Sequence, residues 1–209
     1  MASIALGRTV DEVAAFLLAA GCAGCDAPGT LLCERCRRGL SPQPVRRRSP
    51  GGLDLVAALP FEGVAARMIR ALKEEGATYL ARHLGPLLRA AVDLAGVDAA
   101  LVPIPTGRAA FRRRGYRVPE LLIRRAGLRP RRLLLPARAV GDQRGLGARE
   151  RARNVRGSMR VRAGITGDVV LIDDVITSGA TMDEGVRVCA ASGIRVVAGI
   201  AVASTPRGR

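Results

Sequence analysis

Apolar runs and stretches of helical spacing alternate along most of the chain after residue 52. Short runs of Val, Ile, Leu and Ala predict buried strands, and apolar residues three to four apart predict the helices between them. The predicted strands cover residues 53–61, 99–105, 131–137, 168–174 and 194–203. The predicted helices cover residues 62–75, 78–95, 118–126 and 180–192. This alternation predicts an α/β fold, in which helices cover a parallel sheet.

The first 50 residues have a different pattern. Residues 1–21 have the spacing of a short amphipathic helix, and residues 37–52 are rich in Pro, Gly and Arg, which is typical of a linker. We therefore expect an N-terminal module at residues 1–50 and a larger domain at residues 51–209. No apolar run approaches the roughly 18 residues of a membrane span, and acids precede the first apolar stretch, so a cytoplasmic location is expected.

Two adjacent acids, Asp173 and Asp174, follow the apolar run at residues 169–172. Ligands of open α/β sheets bind at the carboxyl ends of strands. A helix is predicted after the acids, and small residues before it let successive backbone N–H groups point at one anion. The predicted anion-binding residues are Thr177, Ser178, Gly179, Ala180 and Thr181.

The two acids do not suit a phosphate, because like charges repel. They do suit a neutral group that carries hydroxyl donors, and the 2′,3′-diol of a ribose is such a group. The pattern therefore indicates a ribose 5-phosphate, with its hydroxyls on Asp173 and Asp174 and its phosphate in the loop that follows. The alternative is a plain strand–turn–helix in which an Asp serves as a cap.

Four of the five cysteines form two C-x-x-C pairs separated by seven residues. Each pair can place two thiolates on one ion, and two pairs complete a tetrahedron, so a structural zinc site is predicted. Disulfides are the alternative, although a cytoplasmic location disfavours them. The predicted ligands are Cys22, Cys25, Cys33 and Cys36.

Positive charge is concentrated in the middle of the chain. The formal net charge is +16, and residues 106–162 contain 18 arginines and three acids. Such a segment attracts polyanions, including phosphates, diphosphates and nucleic acid. The alternative is a solvated basic face that reflects a general preference for arginine, since Lys73 is the only lysine in the sequence.

The segment at residues 169–182 resembles the phosphoribosyl-diphosphate signature of type I phosphoribosyltransferases. That resemblance implies the type I phosphoribosyltransferase fold and the binding of phosphoribosyl diphosphate with Mg²⁺, Asp173 and Asp174 being the catalytic pair. In these enzymes the loop after an earlier strand binds the diphosphate. The residues that correspond to this loop are Pro105, Thr106, Gly107 and Arg108.

The four cysteines, Lys73 and the sequence RRRGY at residues 112–116 resemble the ComF family, also called GntX-like proteins, which joins a zinc module to a phosphoribosyltransferase domain. The family usually has Asn–Gln where this chain has Arg117 and Val118, a replacement that bears on the choice of acceptor. In related enzymes a flexible excursion can close over the diphosphate. The residues carried over to this excursion are Arg114, Gln143, Arg151 and Asn154.

The resemblance implies three functions that the sequence does not separate. The first is transfer of phosphoribose to an unknown nitrogen nucleophile with release of diphosphate. The second is binding of single-stranded DNA without turnover, because ComF-like proteins are associated with natural transformation, and a competence helicase would be an expected partner. The third is a sensor of phosphoribosyl diphosphate that passes its signal to another protein.

Overall fold

The structure is a computed structural model that describes residues 21–137, 155–162 and 167–206. Its strands occupy the short apolar runs of the sequence, and two further strands lie outside them. In chain order they are β1 (Val45–Arg48), β2 (Asp54–Pro60), β3 (Ala100–Pro103), β4 (Leu134–Pro136), β5 (Met159–Val161), β6 (Val169–Ile176) and β7 (Val196–Ser204).

Helices connect most of these strands. A π-helical turn at Ala71–Glu75 extends the second helix, and a 3₁₀ turn at Thr78–Leu80 precedes the third. In chain order the helices of the described residues are α1 (Glu34–Arg38), α2 (Gly63–Arg70), α3 (Ala81–Ala95), α4 (Arg108–Arg114), α5 (Val118–Arg125) and α6 (Ala180–Ala190).

The main sheet has five strands in the order β1-β2-β7-β6-β3. The β2–β7, β7–β6 and β6–β3 pairs are parallel, whereas β1 runs antiparallel to β2 at the edge. Strands β4 and β5 form a separate antiparallel ribbon. The predicted α/β class, a mostly parallel sheet flanked by helices, is confirmed.

Side chains of the central strands are buried on both faces of the sheet. On β6, Val170 and Ile172 join the core that includes α2, α3 and α5, and Val169 and Leu171 join the core that includes α6 and the β4–β5 ribbon. This two-sided burial explains why β6 is a continuous apolar run rather than an alternating one. The two acids therefore lie on an interior strand that is covered on both faces.

Residues 45–48 differ from the sequence prediction, which assigned them to a linker. They pair with β2 over four positions, from Val45 opposite Ala57 to Arg48 opposite Asp54. An edge strand is held mainly by backbone hydrogen bonds and tolerates charged side chains, so an Arg-rich strand is stable there. The division of the chain near residue 50 stays a prediction, and the predicted helix at residues 1–21 lies almost entirely outside the described residues.

No helix among the described residues is long and apolar enough to cross a membrane.

Candidate functional site

Asp173 and Asp174 lie within β6, which continues past them to Ile176. Because side chains alternate along a strand, Asp174 shares the face of Val170 and Ile172, whereas Asp173 lies on the other face. Asp174 is buried and Asp173 is half-buried. The backbone N–H of Asp174 donates to Oδ1 of Asp173 at 2.8 Å, so the two carboxylates belong to one local network.

Lys73 is the charged partner of Asp174. Its Nζ lies 2.9 Å from Oδ1 and 2.8 Å from Oδ2 of that carboxylate. The Asp174 side chain is only 5% exposed and the Lys73 side chain 33% exposed. The backbone N–H of Val175 donates a further bond to Oδ1 of Asp174, at 2.8 Å. A buried carboxylate is stable only with such partners, so Lys73 and the Val175 amide keep Asp174 charged inside the sheet.

The environment separates the pKa values of the two acids. Burial opposes ionisation of Asp174, but the charge and hydrogen bond of Lys73 outweigh it, so its pKa is lowered. Burial and the neighbouring Asp174 carboxylate raise the pKa of Asp173 well above its ordinary value. Burial opposes the charge of Lys73, but Asp174 and Asp173 outweigh it and its pKa is raised. Asp173 is therefore the acid whose charge most needs a partner.

The π-helical turn at Ala71–Glu75 presents Lys73 to the strand. The hydroxyl of Tyr116 donates to the carbonyl of Leu72, next to Lys73 in the chain. Arg114 lies near enough to act electrostatically on both Lys73 and Tyr116. Sequence reasoning included Lys73 only through a family resemblance and missed its pairing with Asp174, although its standing as the only lysine was a signal.

The predicted phosphate loop joins β6 to α6. Gly179 caps the helix with φ +90°, in the left-handed region that favours glycine. The backbone N–H of Ala180 donates to Oγ of Ser178 at 3.3 Å, and that of Asp183 donates to the carbonyl of Gly179 at 3.0 Å. Thr177 is exposed and Thr181 half-buried. The first N–H groups of a helix lack intrahelical partners, so this end can hold an anion.

The predicted diphosphate loop follows the carboxyl end of β3, at the same end of the sheet as the predicted phosphate loop. Strand β3 pairs with β6 up to Pro103 opposite Ile172, and the backbone N–H of Ile104 donates to the carbonyl of Ile172 at 2.8 Å. Pro105, Thr106 and Gly107 follow directly. Gly107 caps α4, whose first residue, Arg108, is exposed. Residues 105–108 therefore start beside the acids of β6.

The third predicted group is described only in part. Arg114 is half-buried at the end of α4, whereas Gln143, Arg151 and Asn154 lie outside the described residues. The guanidinium of Arg117 lies 4.1 Å from the centre of the Phe111 ring, and its Nε lies 3.7 Å from Oε1 of Glu120. Val118, the other departure from the family pattern, is buried.

The four N-terminal cysteines converge, as their spacing predicts. Their sulfurs all lie within 4.8 Å of one another, and the Cys25 and Cys33 sulfurs are 3.6 Å apart. A tetrahedron of thiolates around zinc has edges of about 3.8 Å, which follows from Zn–S bonds of about 2.3 Å. The backbone N–H of Cys33 donates to Sγ of Cys22 at 3.3 Å. The arrangement fits a closed, structural zinc site.

The thiols differ in how readily they ionise. A backbone hydrogen bond at Ala27 and then one from Arg35 lower the pKa of Cys25 to about 6. Burial raises the pKa of Cys36, whose hydrogen bonds with the neighbouring cysteines act in the same direction. Zinc favours the thiolate over the thiol, so a bound ion would relieve the mutual repulsion of the four charges.

No family model and no curated protein matches the chain. The solved structures that match include orotate phosphoribosyltransferase from Aeropyrum pernix, with 16% identity and a TM-score of 0.33 over 79% of this chain and 78% of that one. An adenine phosphoribosyltransferase matches with 12% identity and a TM-score of 0.40 over 81% and 89% of the two chains. The protein TT1426 from Thermus thermophilus matches with 22% identity and a TM-score of 0.34 over 62% and 85%. These are distant likenesses of fold and carry no argument about activity.

Replacing any of the four clustered cysteines should release the metal. We expect the purified protein to contain about one zinc ion per chain, and the Cys22→Ser variant to contain almost none, because three thiolates leave the coordination shell open. Metal content after gel filtration, measured by mass spectrometry, checks this. Cys189→Ala is the matched control, since Cys189 is buried in the core of the α6 face. Zinc lost equally from both variants would contradict the assignment.

Lys73→Met should destabilise the protein at neutral pH by about 1–3 kcal/mol, because it leaves the buried Asp174 carboxylate without its cation. The pKa of Asp174 is lowered in the folded protein, so its stabilising effect is present above the unfolded value and is lost as the pH falls through the folded one. In the variant, burial without Lys73 raises the pKa of Asp174, so this acid becomes protonated at a pH at which wild-type Asp174 is still charged, and the deficit shrinks as the pH falls.

Urea unfolding at pH 7 and at pH 4 measures this deficit. Lys73→Met/Asp174→Asn is the matched control, because it removes both charges and should recover part of the loss. A deficit that is the same at both pH values, or that the double variant increases, would show that the pair does not stabilise Asp174.

Proposed function

We propose that the protein binds phosphoribosyl diphosphate together with Mg²⁺ at the carboxyl edge of the sheet. One observation carries the proposal: two carboxylates, Asp173 and Asp174, lie on the strand that leads directly into a glycine-capped helix start. The acids match the ribose hydroxyls and the helix start matches the 5′-phosphate. Residues 105–108 begin beside them and match the diphosphate.

Asp173 and Asp174 would each bind the sugar in a different way, because their environments differ. Asp174 already accepts hydrogen bonds from Lys73 and from the Val175 amide. Because an ionised carboxylate has about four acceptor sites, it would still accept one ribose hydroxyl. Asp173 is the carboxylate that burial disfavours, and a hydroxyl donor or a nearby cation would favour its charged form. Binding of the ligand and ionisation of Asp173 would then support each other.

Carboxylate and phosphate oxygens are the ligands that Mg²⁺ prefers, so the donor set of the site fits this ion. Mg²⁺ would be held by the carboxylates of the site together with the diphosphate of the ligand, and it would neutralise charge on the leaving group. The contribution of the chain is to hold the two ends of the ligand at Thr177–Thr181 and at Pro105–Arg108. Arg114, together with Gln143, Arg151 and Asn154, would cover the diphosphate and exclude water.

Transfer of phosphoribose to a nitrogen nucleophile is the reaction that this site would support, mainly through positioning and charge stabilisation. A sensor of the same ligand would need the same residues. Release of diphosphate in the presence of candidate bases separates the two, since an enzyme releases it and a sensor only binds.

The ligand site is tested by Asp173→Asn/Asp174→Asn. We expect this variant to lose at least tenfold in affinity for isotope-labelled phosphoribosyl diphosphate with Mg²⁺, because amides accept hydroxyl protons less strongly and do not attract the cation. Asp168→Asn is the matched control. Asp168 lies just before the start of β6 and pairs with Arg195, away from the edge that carries the site. Affinity that is unchanged in the double variant would reject the site.

A second candidate function is binding of single-stranded DNA, and one observation favours it. Nine exposed arginines of the basic segment contact no carboxylate within the described part of the chain: Arg108, Arg112, Arg113, Arg124, Arg125, Arg129, Arg131, Arg160 and Arg162. Two Tyr and three Phe in the whole chain offer few surfaces for base stacking, so contacts would be mainly to phosphate. The role in natural transformation and the competence helicase partner, which the resemblance to the ComF family implies, would accompany this function.

Binding through phosphates predicts a steep salt dependence and little sequence preference. Raising the salt concentration from 50 to 200 mM should weaken the binding of a labelled single strand by about 300-fold if about six phosphates are contacted, because the logarithm of the affinity falls by about 0.7 per phosphate for each tenfold rise in salt. Fluorescence anisotropy of two strands of unrelated sequence measures both properties. Affinity that is insensitive to salt would contradict this function.

A further inference from the structure

The hairpin formed by β1, the turn at residues 49–53 and β2 lies against the phosphate loop, residues 177–181, at Thr177 and Gly179. The hairpin precedes the phosphate loop by about 130 residues in the sequence and was not connected with it by any sequence pattern. It makes contacts on both sides of the loop, at the end of β6 and at the start of α6. The two sets of contacts are made by different residues of the hairpin.

At the end of β6, Arg47 donates to two successive carbonyls. Its Nη2 contacts the carbonyl of Ile176 at 3.3 Å and also the carbonyl of Thr177. Thr205 binds the same two carbonyls, through its backbone N–H to Ile176 at 2.9 Å and its hydroxyl to Thr177 at 3.3 Å. The peptide planes that enter the phosphate loop are thus held by Arg47 and Thr205 together.

At the start of α6, the turn of the hairpin binds Asp183. The hydroxyl of Ser49 donates to Oδ1 of Asp183, and the backbone N–H of Gly51 donates to Oδ2 at 3.0 Å. The hydroxyl of Ser49 also accepts the backbone N–H of Leu53 at 3.0 Å, so this buried serine is fixed by the turn itself. The backbone N–H of Asp183 in turn donates a hydrogen bond to the carbonyl of Gly179.

Between these two attachments the turn of the hairpin approaches the loop closely at Gly179. A Cβ at Gly179 would lie 3.2 Å from Cβ of Ser49 and 3.3 Å from Cδ of Pro50. The hairpin turn therefore packs directly on the residue that caps α6. Donors that must hold an anion are effective when they are already oriented before the anion arrives, and the hairpin supplies that orientation.

We infer that Arg47 is a positioning residue for the 5′-phosphate loop, acting with Ser49, and that the β1–β2 hairpin clamps this loop at both ends. The inference rests on the proposed function of the loop. Arg47 acts on carbonyls rather than on the ligand, so its effect is confined to the phosphate end of the site. The diphosphate end, at residues 105–108, follows β3, which is the outermost strand on the side of the sheet opposite β1, so we expect changes in the hairpin to leave it unaffected.

The test measures the two ends of the site separately by calorimetry, with ribose 5-phosphate as one probe and pyrophosphate with Mg²⁺ as the other. Arg47→Met should weaken ribose 5-phosphate binding at least tenfold and change pyrophosphate binding less than twofold. Arg47→Lys should lie between Arg47→Met and the wild type, because a lysine can bind a carbonyl but lacks the planar fork of the guanidinium. Arg48→Met is the matched control, since Arg48 pairs with Asp54 in the exposed part of the same strand and should leave both affinities unchanged.

Ser49→Ala provides a second test at the other attachment, and it should also weaken ribose 5-phosphate selectively. If Arg47→Met does not fold, Ser49→Ala carries the test alone. Wild-type affinity for ribose 5-phosphate in both folded variants would overturn the inference, as would an equal loss for the two probes. If the wild-type protein binds neither probe, the proposed function fails, an outcome distinct from failure of the clamp.

Discussion

The architecture of the site depends on keeping a carboxylate charged inside a sheet. Asp174 is almost fully buried on β6, an interior strand of the sheet, where an unpaired charge would be strongly unfavourable. Lys73 and the Val175 amide make it stable, and Tyr116 and the π-helical turn hold the lysine in place. With Asp174 fixed in this way, Asp173 is left as the acid whose pKa is raised, by burial and by the neighbouring Asp174 carboxylate. The asymmetry of the pair follows from burial and from the position of one cation, and it supports the proposal that the site binds a neutral diol beside a phosphate.

The N-terminal region contributes to this site as well as carrying the cysteine cluster. Cys22, Leu32, Cys36 and Leu40 belong to the same buried core as α2, α3 and α5. A few residues further on, β1 adds an edge strand to the sheet, and the turn after it contacts the phosphate loop. The cysteine cluster packs on the core, the chain continues from it into the hairpin, and the hairpin contacts the phosphate loop. A structural zinc site at these cysteines would stabilise the segment that leads into the hairpin.

The sequence predicted the parts of the fold that depend on local pattern. Apolar runs located β2, β3, β6 and β7, and helical spacing located α2, α3, α5 and α6, because burial on a sheet or helix face leaves that pattern directly. The cysteine spacing predicted a convergence that the structure confirms. The sequence did not predict β1, since an arginine-rich edge strand has no apolar signal, nor the short helix α4. Contacts between distant segments, such as Arg47 with Thr177 and Lys73 with Asp174, depend on the tertiary fold and leave no local pattern.

The central claim is that one strand end recognises a ribose through its two acids and a phosphate through the loop that follows. A crystal structure of the protein with phosphoribosyl diphosphate and Mg²⁺ tests this most directly. The account predicts 5′-phosphate oxygens within about 3 Å of backbone nitrogens in residues 178–181, and the ribose hydroxyls at a similar distance from the carboxylates of Asp173 and Asp174. A ligand bound elsewhere on the protein, or a loop whose amides face away from it, would contradict the account.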